Sequence, residues 1–193
     1  MSVQPKHYIT SEEYLEIERA APFKSEYYAG EMFAMSGTTT AHNLIAINIL
    51  AGLRPQVRKQ GCDLFFADIR LKVSASNHFS YPDLMIVCGP KFADVQKDTV
   101  TNPVVIIEVL SDSTEAYDRG EKFAQYRLID SLQHYILVSQ RLRRVEVFSN
   151  QNPGKWSLSD YSKPDDSIEV PINTSSSFSL KLLLAEIYEG VIK

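Results

Sequence analysis

The chain has 193 residues, a formal net charge of -4, and 44% apolar and 23% charged residues. This is the composition of a folded globular protein long enough to close one substantial core, and it excludes a disordered or fibrous chain. It also excludes a strongly basic nucleic-acid sponge, though not a local basic patch, because net charge says nothing about distribution.

The opening residues MSVQPKHYIT lack the apolar run of a signal peptide, and no apolar run approaches a membrane span. The expectation is a cytoplasmic protein without a membrane partner. Thr10 with Glu13 three residues on fits a capping box and opens a short helix with Tyr14, Leu15 and Ile17, ending before Pro22. Residues 24–35 read as two short strands around Ala29-Gly30. Residues 40–57 form the best long helix, with Leu44, Ile45, Ile47, Leu50, Ala51, Leu53 and Val57 at helical spacing; Pro55 suggests a bend or an early stop. Residues 62–73 are strand-like with a break near Asp68, and 74–80 form a polar loop. The two cysteines, Cys62 and Cys88, sit in apolar strand-like settings and read as buried free thiols in a reducing compartment.

Pro82-Asp83 opens the apolar run 84–88, and the run 104–110 is apolar apart from Glu108. Short unbroken runs of this kind fit central strands covered on both faces. Residues 91–102 read as a loop with a helical turn, and 114–129 as a helix carrying Phe123, Tyr126 and Ile129, with Glu115 in its first turn. Residues 134–139 and 144–149 alternate as strands about a turn at 140–143. Gln151-Asn152-Pro153-Gly154 is a strong turn before a strand at 155–161, residues 168–171 make one more short strand, and the leucine-rich 178–188 reads as a closing helix. Nothing splits the chain, so residues 1–193 are expected to form a single domain. The element order implies an α/β fold, a mixed sheet flanked by helices with additional hairpin strands, and the alternation is too irregular for a strand–helix barrel.

Two carboxylates stand where carboxylates do not belong. Glu108 interrupts a central strand, where an ionised side chain needs a cation or a metal. Asp83 lies at the mouth of the preceding apolar run, and adjacent strands could bring both acids to one edge. Oxygen pairs of this kind suit a hard divalent cation such as magnesium, which polarises a phosphodiester and lowers the pKa of attacking water. Asp118, Lys122 and Tyr126 are spaced four apart, on one helical face that could overlook the pair; Lys122 would then position water or neutralise phosphoryl charge. Glu31 after the hairpin turn and His42 in the first turn of the long helix could add an oxygen or nitrogen to the ion's surroundings.

Each residue also has a plainer role open to it. Asp83 could cap a turn, Glu108 could pair with an arginine, Lys122 and Glu31 could be solvated, and His42 could be an ordinary helix-start residue. His7, His78 and His134 have no metal-ligand spacing and read as structural or exposed. No glycine-rich phosphate loop, HExxH, paired CxxC or GxSxG is present, and no organic cofactor is implied. The hydroxyl-rich string 35–40 before the long helix suits capping better than anion binding, and the basic turn Arg141-Leu142-Arg143-Arg144 suits a solvated turn better than phosphate contact.

Tyr81-Pro82-Asp83-Leu84, the run Pro103 to Thr114 containing Glu-Val-Leu-Ser-Asp-Ser-Thr, then Asp118 and Lys122-Phe123-Ala124-Gln125-Tyr126, resemble the Uma-two family of restriction-endonuclease-like proteins, abundant in cyanobacteria. The resemblance extends to Glu31, His42 and residues 68–73, and covers about 8–188. It implies the PD-(D/E)xK nuclease core, a magnesium site (manganese as a substitute), and hydrolysis of phosphodiester bonds, in DNA. Asp83 and Glu108 then match the metal acids, Glu31 an additional metal acid, and His42 the family's helix histidine. Tyr126 falls where the helix tyrosine is expected. The usual lysine position two residues after the second acid is Leu110 here, and the resemblance transfers its role to Lys122. Many relatives carry an acidic-aromatic pair before the late strand and Asp-Pro after it. This chain has Gln133-His134-Tyr135 and Ser139-Gln140, which bear on packing or dimer contacts. A homodimer is the expected assembly. The competing function is a non-catalytic nucleic-acid-binding or structural protein on the same scaffold, which the acidic net charge and the lack of a separate target-recognition domain would suit.

Overall fold

A computed structural model describes residues 8–35, 37–152, 154–175 and 177–192; His7, Pro153 and Ser36 of the string 35–40 lie outside the described residues. Thr10 caps α1 (Ser11–Ala20) through the reciprocal bonds its sequence predicts. The Glu13 N–H donates to its hydroxyl at 3.2 Å and its own N–H donates to the Glu13 carboxylate at 2.7 Å. β1 (Ser25–Tyr28) and β2 (Glu31–Ala34) form the hairpin. Its turn takes Gly30 to a φ of 87°, where a Cβ would also lie 2.7 Å from the Tyr8 ring, so glycine is required twice over. α2 (Thr40–Lys59) continues past Pro55, so the early stop does not occur. Ile45, Ile49, Leu53 and Val57 make one buried stripe on both sides of the proline, and that packing carries the helix past the lost hydrogen bond.

The central sheet is built from β3 (Asp63–Phe66), β6 (Leu84–Val87), β8 (Val105–Leu110), β9 (His134–Ser139), β10 (Val145–Asn152) and β11 (Lys155–Tyr161). The strand order is β11-β10-β9-β8-β6-β3, with β8 and β9 parallel and the other neighbours antiparallel. Every residue of β6 and β8 is buried, as their unbroken apolar runs imply. Side chains alternate between two cores. Leu84, Ile86, Val105, Ile107 and Val109 face α2, the hairpin β12 (Ser167–Ile172)–β13 (Phe178–Leu183) and the short α5 (Leu184–Ile187). Met85, Val87, Ile106 and Leu110 face the opposite core. That core is covered by a helical segment and by β4 (Arg70–Val73), β5 (His78–Ser80) and β7 (Thr99–Val100), which join the first hairpin in a second sheet ordered β2-β1-β5-β4-β7. The same parity puts Asp83 and Glu108 on this second face.

Several sequence expectations are corrected. Cys62 and Cys88 are not free thiols but a disulfide. The register pairing Asp63 with Val87 brings the flanking cysteines together, with Cα atoms 4.3 Å apart, and no run of residues reveals that pairing before the strands are matched. The argument for a reducing compartment from free thiols falls with it. Residues 178–183 are strand rather than helix. Leu180 and Leu182 alternate inward against β12, a period of two that the run of leucines masks. The polar loop ends in the buried strand β5, and the loop after β6 holds β7 instead of a helical turn. The helix expected over 114–129 is α3 (Glu115–Tyr117), a π-helical turn (Asp118–Lys122) and α4 (Phe123–Tyr126). Among the described residues no helix is long and apolar enough to cross a membrane.

Candidate active site

The antiparallel register that pairs Leu84 with Ile107 sets Asp83 across from Glu108, and each acid is tied to the other strand. The Asp83 N–H donates to Glu108 Oε2 at 3.2 Å, and the Val109 N–H donates to Asp83 Oδ2 at 2.8 Å. From the helical segment, the Lys122 ammonium reaches Glu108 Oε1 at 2.9 Å, Glu26 Oε1 at 3.3 Å and Asp118 Oδ1 at 3.4 Å. The Tyr126 hydroxyl donates to Glu108 Oε1 at 3.0 Å and meets Ser80 Oγ at 3.1 Å. From the start of α2, His42 Nε2 lies 3.1 Å from Asp83 Oδ2. Glu26 is fixed by the Tyr81 N–H and the Tyr117 hydroxyl, both at 3.3 Å. Glu26, His42, Asp83, Glu108, Asp118 and Lys122 line an open cleft of about 680 Å³, with Tyr126, Ser80 and Tyr117 behind them.

The π turn explains how a helical lysine comes to be buried. The wider turn carries Asp118 and Lys122 inward, to 3% and 6% exposure, and the Tyr135 hydroxyl donates to the Asp118 carbonyl at 3.0 Å. Burial works against the charge of Lys122. Glu108, Tyr126, Glu26 and Asp118 prevail, and the ammonium is held well above its ordinary value. One ammonium serves three carboxylates. Burial pushes the Glu108 carboxyl up despite Lys122, and Asp83 and Asp118 add to the push. Burial also raises Asp118. Burial pulls His42 down, but the Asp83 carboxylate, Asp118 and the Val109 carbonyl together hold it above its ordinary value.

The cluster is therefore short of positive charge, and its donor chemistry fits a cation. Asp83 and Glu108 are the residues that could hold one. Among the described residues no group of three or more His, Cys, Asp and Glu is poised for a metal ion. A facing pair is what magnesium uses when water and substrate phosphate complete its shell.

Of the residues singled out from sequence, Asp83, Glu108, Lys122, Asp118, Tyr126 and His42 converge. Glu31 does not join them: it stands opposite Tyr28 at the turn end of the hairpin and is not among the residues lining the cleft. Glu26, which sequence reasoning missed, joins the cluster through the Lys122 ammonium at 3.3 Å. A lone acid in a short hairpin strand looks solvated, and only the burial of Ser25, Glu26 and Tyr27 together reveals otherwise. His78 is fully buried. His134 bonds the Ser149 hydroxyl at 2.9 Å and the Pro171 carbonyl at 2.6 Å. Thr39 caps α2, accepting from the His42 N–H at 3.1 Å. Gln133 packs the late hairpin by bonding the backbone of Asn173 at 2.7 and 2.8 Å.

Comparison with known proteins gives a family and a fold. A family model, Uma2, described as "Putative restriction endonuclease", matches residues 11–182. The chain is 35% identical over 170 residues to the uncharacterized protein sll1609 of Synechocystis sp., covering 88% of this chain and 96% of that one. It is 30% identical over 185 residues to slr1290 of the same organism, also uncharacterized, covering 95% and 93%. Its fold matches a crystal structure of a "putative nuclease belonging to DUF820" from Anabaena variabilis, with a TM-score of 0.68, 18% identity, and coverage of 95% of this chain and 99% of that chain.

Proposed function

The chain belongs to the Uma2 family, and on that footing we propose that it is a divalent-metal-dependent endonuclease acting on DNA. The observation that carries this reading is the facing pair Asp83 and Glu108, joined to a buried lysine at the floor of an open cleft. Asp83 and Glu108 would hold the ion, magnesium or manganese, and Glu26 would take the supporting part expected of Glu31. The ion supplies Lewis-acid polarisation of the phosphodiester. Lys122, kept cationic by three acids, serves by charge rather than as a base: it orients the attacking water and offsets charge building on the phosphoryl oxygens. The Val109 amide and His42 fix the rotamer of Asp83. Tyr126 fixes that of Glu108 and Asp118 that of Lys122, so the acids are pre-set rather than recruited.

The test is magnesium and manganese titration by calorimetry, beside cleavage assays on DNA and RNA, for the wild type and an Asp83→Ala/Glu108→Ala double variant. Saturable binding and DNA cleavage, both lost in the variant, are expected. A folded wild type that binds metal yet cleaves neither polymer would move the protein to the non-catalytic reading. Cleavage that survives in the double variant would remove the site assignment.

A further inference from the structure

The cleft is acidic for a nuclease. Among the described residues that line it, the basic side chains are Lys24, Lys122 and His42, which is paired with Asp83, against Glu26, Asp68, Asp83, Glu108, Asp112 and Asp118. Lys122 is committed to its buried cluster. A phosphodiester chain needs positive partners beyond the scissile bond, and the rim supplies two, each resting on an exposed acid. The Lys24 ammonium pairs with the Asp68 carboxylate and donates to the Ala67 carbonyl at 3.0 Å; its side chain is 38% exposed and that of Asp68 is 79% exposed. Arg141 pairs with Asp112, and their side chains are 69% and 62% exposed.

The two pairs sit on separate parts of the rim. Lys24 precedes β1 and meets the turn between β3 and β4. Arg141 lies in the turn between β9 and β10, beside Gln140, which accepts from the Thr39 hydroxyl at 2.6 Å and so fastens that turn to the start of α2. The neighbouring arginines are engaged elsewhere. Arg143 donates to the Ile192 carbonyl at 3.1 Å, and Arg144 makes a two-point contact with Asp160 at 3.0 Å. Only Arg141 of the basic turn faces a cleft-lining residue. Ion pairs this exposed contribute little, so exchanging carboxylate for phosphate costs little, and guanidinium matches a phosphate in two-point geometry.

We propose that Lys24 and Arg141 hold the phosphates on either side of the scissile one, and that Asp68 and Asp112 are resting partners which the DNA strand displaces. This rests on the nuclease reading and extends it to how substrate is gripped. It carries an unusual sign: two acids at the rim work against binding.

Binding of a short fluorescent single-stranded DNA, with calcium in place of magnesium, is followed by anisotropy across a salt series. Cleavage is followed in parallel with magnesium, and urea unfolding confirms that each variant is folded. Lys24→Gln and Arg141→Gln should each weaken binding several-fold and reduce the slope of log K on log salt by about 0.7. Asp68→Asn and Asp112→Asn should tighten binding several-fold, and the gain from Asp112→Asn should vanish when combined with Arg141→Gln. If DNA binds and is cut but the lysine and arginine variants bind as the wild type, or the asparagine variants bind no tighter, the proposal is overturned while the nuclease reading stands. If the wild type neither binds nor cuts, both fall together.

Discussion

His78 gives the sharpest test of the interior. It is fully buried in β5, with its ring edge-on to Tyr28 at 5.5 Å and stacked toward Tyr126 at 6.4 Å. Among the described residues neither ring nitrogen has a hydrogen-bond partner. Burial pushes the imidazole down from 6.5 to about 4; Glu26 opposes the shift and Lys122 adds to it. The ring is neutral in the fold, while the unfolded chain binds a proton below 6.5, so His78 costs stability as pH falls through that window. With those two values the loss between pH 7.5 and pH 5 is about 2 kcal/mol. His78→Phe removes the titration and keeps an aromatic ring between the same two neighbours. Its larger ring shifts stability by a constant at every pH, so the readout is the difference in pH dependence. His134, His42, Glu108 and Asp118 also titrate with shifted values, but they are common to both proteins and cancel. Urea unfolding by circular dichroism at pH 7.5 and pH 5 should show the variant gaining about 2 kcal/mol on the wild type as pH falls. Equal losses in both proteins would refute the reasoning.

Other outcomes follow from the same contacts. Lys122→Met leaves Glu26, Glu108 and Asp118 facing one another without their ammonium. Chemical unfolding at pH 8 should show a loss of about 3–5 kcal/mol, shrinking at pH 5 as the raised carboxyls take up protons. Cys62→Ser/Cys88→Ser opens a loop spanning a sequence separation of 26 and should cost about 3.5 kcal/mol in the chain-entropy account; reductant should lower the wild-type melting temperature to match, and no shift would show the bridge to be idle. Thr10→Ala removes one half of the capping box and should cost about 1 kcal/mol by urea titration.

Particular residues show what sequence could and could not reveal. The runs in β6 and β8 announced central strands, and Asp83 at the mouth of one and Glu108 inside the other were legible because an acid beside or in an apolar run needs a reason. Side-chain parity alone then puts them on one face. Lys122 was legible only as one of several helical positions, since an ordinary helix would have left its inward turn undecided and the π turn has no pattern of its own. Glu26 was hidden for the opposite reason. Its neighbours are buried by α1 and β5 rather than by any periodicity of the hairpin, so a solvated acid and a site acid look alike in sequence. Leucines at 180, 182, 183 and 184 satisfied a helix as well as a strand, and the pairing of Val170 with Leu180 decided between them. The cysteines required strand register, which is a long-range fact.

The position of the lysine has a structural consequence. In the nuclease pattern that this chain resembles, the lysine follows the second acid by two residues on the same strand. Here that residue is Leu110, which packs in the core with Tyr126 and Tyr135. A strand lysine would be delivered by the sheet itself, whereas Lys122 is delivered by a segment that must dock. Phe123 supplies the anchor, stacked on Tyr135 at 4.9 Å and lying against Phe148 at 4.8 Å and Trp156 at 5.3 Å. These rings lie on β9, β10 and β11. Packing at that end of the sheet thus sets where the ammonium stands, and the three acids around it supply the attraction that keeps a buried cation there. Neither contribution suffices alone: the rings without the acids would bury an unpaired charge, and the acids without the rings would meet a helix that need not turn Lys122 inward. The packing that completes the second core is thus also what places the ammonium among its acids.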